Sequence, residues 1–339
     1  MKKIPVEQSV GQSLCHDITK FKDGFKGVLY KRGHVVTTDD VETLKDIGKY
    51  HVFVWEAHAD EIHEDDAAVA LARAAAGSNI TFTQPSEGKV TLLSEADGLF
   101  TVKRNILAEI NTIPDVTIAC LPDNYIVKAG GKLAGARIIP LVTKRDHIMK
   151  AEALAQDNAP LFEVMPFQKH AAGIIITGSE VYEGRIEDRF EAVIRPKLSA
   201  FGADILGTIK CPDDVVAIKN AIDGFVEKGA SVIILCGGMS VDPDDCTPSA
   251  IRESGAHVVT YGVPAQPGNM LMFAYLNKTA LFGVPSAAIH HKTTTLDVFL
   301  PRVFAGMTLT KQDFASVGTG GFCLSCSECS YPRCYFCSS

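Results

Sequence analysis

Two groups of residues in this chain of 339 have types and spacing that could do chemistry. The first is a set of short loops: Thr177-Gly178-Ser179-Glu180, Gly237-Gly238-Met239-Ser240 with Asp244-Asp245 close behind, Pro267-Gly268-Asn269, and Pro285-Ser286. Small residues, hydroxyls and backbone N–H groups placed after a buried strand and before a helix suit an anion such as a phosphate, and the helix dipole favours the charge. Any one of these loops could be a turn that needs glycine for its backbone angles. Four at one edge of one sheet point together to a ligand. Asp244 and Asp245 suit Mg²⁺ held against phosphate or oxyanion oxygens, because hard cations prefer carboxylates and keep several waters. The alternative is that both carboxylates are solvated and cap a helix beginning near Thr247. Glu180 could hold an amino group by a charge-assisted hydrogen bond, or simply stand near a helix start. His290-His291 with Lys292 is an oxyanion contact or a surface pair.

The second group is a cysteine-rich end. Five of the ten cysteines stand alone (Cys15, Cys120, Cys211, Cys236, Cys246), and the other five form Cys323-x2-Cys326-x2-Cys329-x4-Cys334-x2-Cys337. In a reducing compartment the scattered five read as small buried hydrophobes. The clustered five can wrap a tetrahedral Zn²⁺ or an iron–sulfur cluster, and C-x2-C-x2-C opens the bacterial ferredoxin run, although that run has three residues before its fourth cysteine. The alternative is a loose terminus with reactive thiols. One centre is the most that this end could hold.

From Ala171 onward, strands and helices alternate, as in a mostly parallel sheet covered on both faces, a Rossmann-like α/β domain. Residues 173–176, 203–209, 232–235, 257–261 and 280–284 read as strands, and 187–201 (interrupted or bent near Pro196), 213–228 (capped by Asp213 or Asp214), 248–254 and 296–307 as helices. In an open parallel sheet, ligands bind beyond the carboxyl ends of the strands, where the first group of loops falls. Upstream lies an α+β, β-rich region. A helix runs from Thr37-Thr38-Asp39-Asp40 to Gly48, a strand covers 52–55, and a second helix covers 65–76. Short β-prone runs follow at 90–93, 99–102, 116–119, 125–127 and 137–142, then a helix at 150–157 and a linker at 160–166. The division expected is 1–77, a mixed unit; 78–165, a β-rich domain and linker; 166–310, the Rossmann-like domain; and 311–339, the cysteine-rich tail.

Composition narrows the function. The chain is 46% hydrophobic and 22% charged, as in a folded globular protein. A net charge of -7 argues against nucleic acid as a partner, since that binding depends on clustered Lys and Arg. No apolar run approaches the roughly 20 residues that span a bilayer, and the N-terminus has no signal-peptide core, so a cytoplasmic protein without a membrane partner is expected. Neither G-x-G-x-x-G after the first strand nor G-x-x-x-x-G-K-[ST] is present, which disfavours an NAD or P-loop enzyme.

The ordered loops resemble the MoaB/Mog-type molybdopterin-binding domain, which is also found within the molybdenum-insertion protein MoeA. Ile176-Thr177-Gly178-Ser179-Glu180-Val181 is similar to the family's T-G-[DS]-E-[LV], and Gly184-Arg185-Ile186-Glu187-Asp188 to its G-x-I-x-D. Asp213-Asp214 is similar to its D-D, and Leu235 to Asp245 to its T-G-G-x-S-x-G-x-x-D. The resemblance implies a bound phosphorylated pterin, molybdopterin or the cofactor made from it, in cofactor biosynthesis, insertion or delivery. On the family pattern, Thr177, Gly178, Ser179, Glu180, Asp188, Asp214, Gly237, Gly238, Ser240, Pro267, Gly268, Asn269, Pro285 and Ser286 would bind it, and Asp245, at the place of the family's acidic residue, is the candidate catalytic residue. ATP or molybdate would be co-substrate, and the chain would self-associate into a homo-oligomer. An adenylyltransferase or molybdotransferase-like activity is implied, the alternative being a non-enzymatic cofactor or redox sensor. Departures from the pattern are Phe190 near the family's Asn, Cys236 for Thr, Asp242 for Gly, and Asn269 where MoeA has Lys. The last removes a positive charge that would meet phosphate.

Overall fold

The computed structural model describes every residue except 1, 23–24, 55–57, 241, 244 and 339. The chain divides into two compact units. One comprises 1–96, 100–121 and 127–164, and the other 97–99, 122–126 and 165–339.

In the first unit, a capping box between Thr37 and Asp40 starts the helix Thr38–Asp46, which buries Val41 and Leu44 and gives way to Gly48 at φ +78°. The strand expected at 52–55 is His51–Val54, paired antiparallel with Lys2–Pro5; Trp55 lies outside the described residues. Helix Glu64–Ala75 buries Ala67, Ala68, Leu71, Ala72 and Ala75 on one face, the spacing of a helix packed on a single side. An antiparallel sheet runs Ile80–Phe82, Lys89–Ser94, Lys132–Ile138, Val116–Cys120. The expected strands at 99–102 and 125–127 are Gly98–Val102 and Tyr125–Val127.

Three readings change. The strand expected at 137–142 ends at Ile138 and a new one begins at Val142, with Pro140 between. The helix expected at 150–157 begins earlier, at Arg145. The linker expected at 160–166 contains the strand Phe162–Pro166, with Phe162 and Val164 buried, because alternate apolar residues between two prolines satisfy a half-buried strand. Helix Arg104–Ile110 has no counterpart among the expected elements.

The second unit is a six-stranded sheet covered on both faces. Its elements are β1 (Ala171–Thr177), α1 (Ser179–Tyr182), α2 (Phe190–Ser199), β2 (Asp204–Cys211), α3 (Val215–Glu227), β3 (Val232–Cys236), α4 (Thr247–Glu253), β4 (His257–Tyr261), β5 (Met272–Leu276), β6 (Thr279–Val284), α5 (Ala287–His290), α6 (Thr295–Phe304) and α7 (Lys311–Ala315). Strand order is β2-β1-β3-β6-β5-β4. The first four strands are parallel and the last two antiparallel to their neighbours.

Successive residues of β1 serve opposite faces: Ile174 and Ile176 pack with Ile194 and Leu198 of α2 and Phe299 of α6. Ile175 packs with Ile218, Ile222 and Phe225 of α3 and Ile251 of α4. Each such fully buried side chain contributes roughly 1.5–3 kcal/mol. Helix α2 continues through Pro196 rather than breaking there. Strand β5 is an addition to the expected elements, since the apolar run from Met270 to Leu276 has no β-branched residue to mark it as a strand. It joins β6 through the two-residue turn Asn277-Lys278, with Asn277 at φ +53°. Among the described residues no helix is long and apolar enough to cross a membrane.

Candidate functional site

Strands β1, β2, β3 and β6 are parallel, so their carboxyl ends share one edge of the sheet. Strand β5 runs the other way and pairs Met272 with Gly283 near the end of β6, which brings the segment before β5, including Asn269 and Met270, to that same edge. A cleft of about 540 Å³ opens there, within the usual size of a small-molecule site.

Its floor is fixed by a buried hydroxyl network. Thr177, which ends β1, donates from Oγ1 to the Cys236 carbonyl at 3.2 Å and lies 3.0 Å from Thr247 Oγ1. Thr247, the first residue of α4, reaches the Gly237 carbonyl at 2.9 Å. The glycine pair is shaped around this network. Gly237 and Gly238 have φ of +95° and +57°, and a Cβ would fall 2.5 Å from the Thr177 carbonyl oxygen in the first case and 2.7 Å from Thr247 Oγ1 in the second. Only glycine accepts both the angle and the crowding. Among the described residues, the N–H groups of Gly238 and Met239 enter no hydrogen bond, leaving two donors at the cleft wall.

The loops after β1 and β2 clasp each other. The Ser179 N–H donates to Asp213 Oδ2 at 2.7 Å, and the Asp213 N–H donates to Ser179 Oγ at 3.1 Å. Asp188 accepts from the N–H groups of Phe190 and Glu191 at 2.8 and 3.2 Å, and so opens α2. Asp245 Oδ2 accepts from the Ser240 N–H at 2.6 Å, holding the loop after β3 closed. Apolar walls come from Val181, Ile186, Phe190, Met239, Met270 and Ile289.

The electrostatics are lopsided. Glu180, Glu187, Asp188, Asp213 and Asp245 line the cleft, and among its described lining residues Arg189 is the one with a cationic side chain. Like charges this close repel. A phosphate enters such a cleft at lower cost when a divalent cation comes with it.

Of the residues singled out in the sequence, Thr177, Gly178, Glu180, Asp188, Gly237, Gly238, Ser240, Asp245, Asn269, Pro285 and Ser286 meet on this cleft. Ser179 faces an adjoining recess together with Glu180, Asp213 and Asp245. Asp214 serves elsewhere: its Oδ1 accepts from the Ala217 N–H at 2.7 Å as the N-cap of α3. Gly268 accepts at its carbonyl from Thr295 Oγ1 at 2.6 Å and fastens the start of α6. Pro267, with His290, His291 and Lys292, faces a different cavity, walled by cysteines. Asp244 lies outside the described residues. Sequence reasoning misses the apolar walls and selects Asp214 over Asp213. The one available signal is Asp214 standing three residues before Ala217, the spacing of a cap.

Residues 173–305 match a family described as "Probable molybdopterin binding domain", and residues 3–56 match one described only as a domain of unknown function. A CinA-like protein of Pseudothermotoga lettingae is 41% identical over 83 residues, which is 24% of this chain and 20% of that protein. A molybdenum cofactor biosynthesis bifunctional protein of Synechococcus elongatus is 26% identical over 174 residues, covering 51% of this chain and 54% of the other. The chain thus spans between a fifth and about half of the length of these relatives. The molybdopterin biosynthesis enzyme MoaB of Thermus thermophilus aligns with 41% of this chain and 98% of its own, at 18% identity and a TM-score of 0.32.

Proposed function

Residues 173–305 being a MoaB/Mog-type domain, we propose that the chain binds molybdopterin, or the cofactor made from it, in the cleft at the carboxyl edge of the sheet, and serves its biosynthesis, insertion or delivery. The observation that supports this best is the convergence of four separate loops on one cleft whose Gly237-Gly238 turn leaves no room for a Cβ.

The residues present fit such a ligand in kind. The N–H groups of Gly238 and Met239 and the hydroxyls of Ser240 and Ser286 are donors for a phosphate. Ile186, Phe190, Met239 and Ile289 give apolar surface for a flat ring, and Glu180 can accept from the amino group of a pterin. Mg²⁺ asks for only one or two carboxylates beside phosphate and water, and Asp245, with Asp244 next to it in sequence, would supply them. When bound, the pterin supplies a dithiolene that holds molybdenum; the protein orients it and screens its phosphate.

An enzymatic version adds ATP or molybdate as co-substrate. The second version, a carrier or sensor that does no chemistry, is favoured by the shortage of positive charge: Asn269 stands where a lysine would meet phosphate, and Arg189 has no cationic companion among the described lining residues. Turnover of ATP or molybdate in the presence of molybdopterin separates the two. The binding claim is tested by oxidising protein purified from cells that make the cofactor and assaying the released pterin by fluorescence. A pterin recovered in amounts approaching the protein supports it. No pterin recovered, and none taken up when molybdopterin is added, contradicts it.

A further inference from the structure

The tail after α7 is docked rather than loose. The Gln266 N–H donates to the Gly321 carbonyl at 2.7 Å and the Cys323 N–H to the Gln266 carbonyl at 2.9 Å. Phe336 and Cys337 are buried in the same core as Phe299 and Phe314. The docked tail forms one side of an open cavity of about 290 Å³ with Cys323, Cys326, Cys329 and Cys334 all in its wall. Cys337 is not in that wall; its side chain belongs to the core.

We propose that these four cysteines hold a single iron–sulfur cluster of the [4Fe–4S] type. Four thiolates around one space are the ligand set that such a cluster takes, and the C-x2-C-x2-C opening suits three of its corners. The fourth, Cys334, follows after four intervening residues and returns to the same cavity instead of reaching toward a second centre.

A cluster and one Zn²⁺ differ in the space they need. With Zn–S bonds of about 2.3 Å, a tetrahedral site draws its sulfurs to within about 4 Å of each other. The four thiols line a cavity of about 290 Å³, and among the described residues no three His, Cys, Asp or Glu side chains are gathered for one ion.

The shell is suitable as well. The Ser325 N–H donates to Cys323 Sγ at 3.4 Å and Thr293 Oγ1 lies 3.3 Å from Cys329 Sγ, hydrogen bonds to sulfur of the kind that tune a cluster. Lys292, on the cavity wall, offsets the negative charge of four thiolates. The cavity also backs onto the ligand cleft. Pro267 faces the cysteines while Asn269 and Met270 face the cleft, and Ile289 and His290, adjacent on α5, face one each.

The test is anaerobic reconstitution of the full chain with ferric iron, sulfide and a thiol reductant that brings part of the iron to the ferrous state, followed by iron and acid-labile sulfide analysis. The expected result is about four of each per chain, as [4Fe–4S] requires, with a broad visible absorption bleached by dithionite. Cys326→Ala, at an exposed position, and Cys329→Ala lose most of the iron while keeping the wild-type circular dichroism, and Cys337→Ala keeps its iron. One tightly held Zn²⁺ with no iron, no uptake of either metal, or equal iron loss in Cys337→Ala and Cys326→Ala overturns the assignment.

Discussion

The hydroxyls of Thr177 and Thr247 lie 3.0 Å apart although 70 residues separate them. One ends β1 and the other begins α4, and both also reach carbonyls at the end of β3 and in the loop after it. A buried, fully used hydroxyl pair thus ties three elements together beneath the Gly237-Gly238 turn. This links the order of elements in the sequence to the shape of the cleft.

Thr177→Val keeps the volume and removes the hydroxyl, leaving the Cys236 carbonyl without that donor. An unsatisfied buried group costs about 1–3 kcal/mol, so the midpoint of urea unfolding falls by the corresponding amount. Thr177→Ser recovers most of the loss. Equal stability of Thr177→Val and wild type would show that the network does not hold the floor.

Gly238→Ala puts a side chain where φ is +57° and the Thr247 hydroxyl stands 2.7 Å away. Stability drops by roughly 1–3 kcal/mol from the strained backbone, and ligand affinity drops further because the loop carrying the Met239 N–H must shift. Calorimetric titration beside a denaturation curve separates the two effects.

Asp214 and Asp213, neighbours in sequence, answer differently. Asp214→Ala removes the N-cap of α3 and costs about 1 kcal/mol without changing ligand affinity. Asp213→Ala removes the acceptor of the Ser179 N–H while keeping the Asp213 N–H bond to Ser179 Oγ, so it loosens the clasp and weakens binding. If Asp214→Ala lowers affinity as much as Asp213→Ala does, the capping role assigned to Asp214 is insufficient.

In the first unit, burial, with help from Asp65, pushes Glu64 up to about 7 from its ordinary 4.5. The folded chain therefore keeps this proton over a range in which the unfolded chain has lost it. The stability it contributes is full below about 4.5 and is lost as pH rises through about 7, by roughly 2–3 kcal/mol. Burial lowers the adjacent His63, which acts in the opposite sense, so the quantity to measure is the difference between wild type and Glu64→Gln. Unfolding free energies taken from about pH 4 to about pH 8.5, a span that brackets both ends of the shift, should show Glu64→Gln gaining on wild type as pH rises. A flat difference removes the argument.

Much of this is legible in the sequence, for identifiable reasons. Ile174 to Ile176 and Val232 to Leu235 are unbroken apolar runs rich in β-branched residues, as in strands buried on both faces, and the glycine loops behind them mark the ligand edge. Strand β5 is hidden because Met270 to Leu276 is apolar but has no β-branched residue, so it reads as well as a buried helix segment, and its direction rests on a turn at Asn277-Lys278 that composition does not single out. The strand Phe162–Pro166 is hidden by the prolines around it. Within the site, spacing names the polar residues of the loops but not Ile186, Met239 or Ile289, because which apolar loop residues face a cleft depends on packing between distant segments. The gathering of four tail cysteines on one cavity is likewise beyond the sequence, since it depends on pairing between Gln266 and the chain at 321–323.

The most direct test of the central claim is calorimetric titration of the purified chain with molybdopterin, with and without Mg²⁺, for wild type and Asp245→Asn. Asparagine keeps an oxygen for the Ser240 N–H but loses the charge, so the loop should hold while the cation's ligand is lost. The account predicts saturable binding at one site per chain, strengthened by Mg²⁺ in wild type and not in Asp245→Asn. Absence of binding in wild type contradicts the proposed ligand, and a Mg²⁺ effect that survives in Asp245→Asn contradicts the role given to that carboxylate.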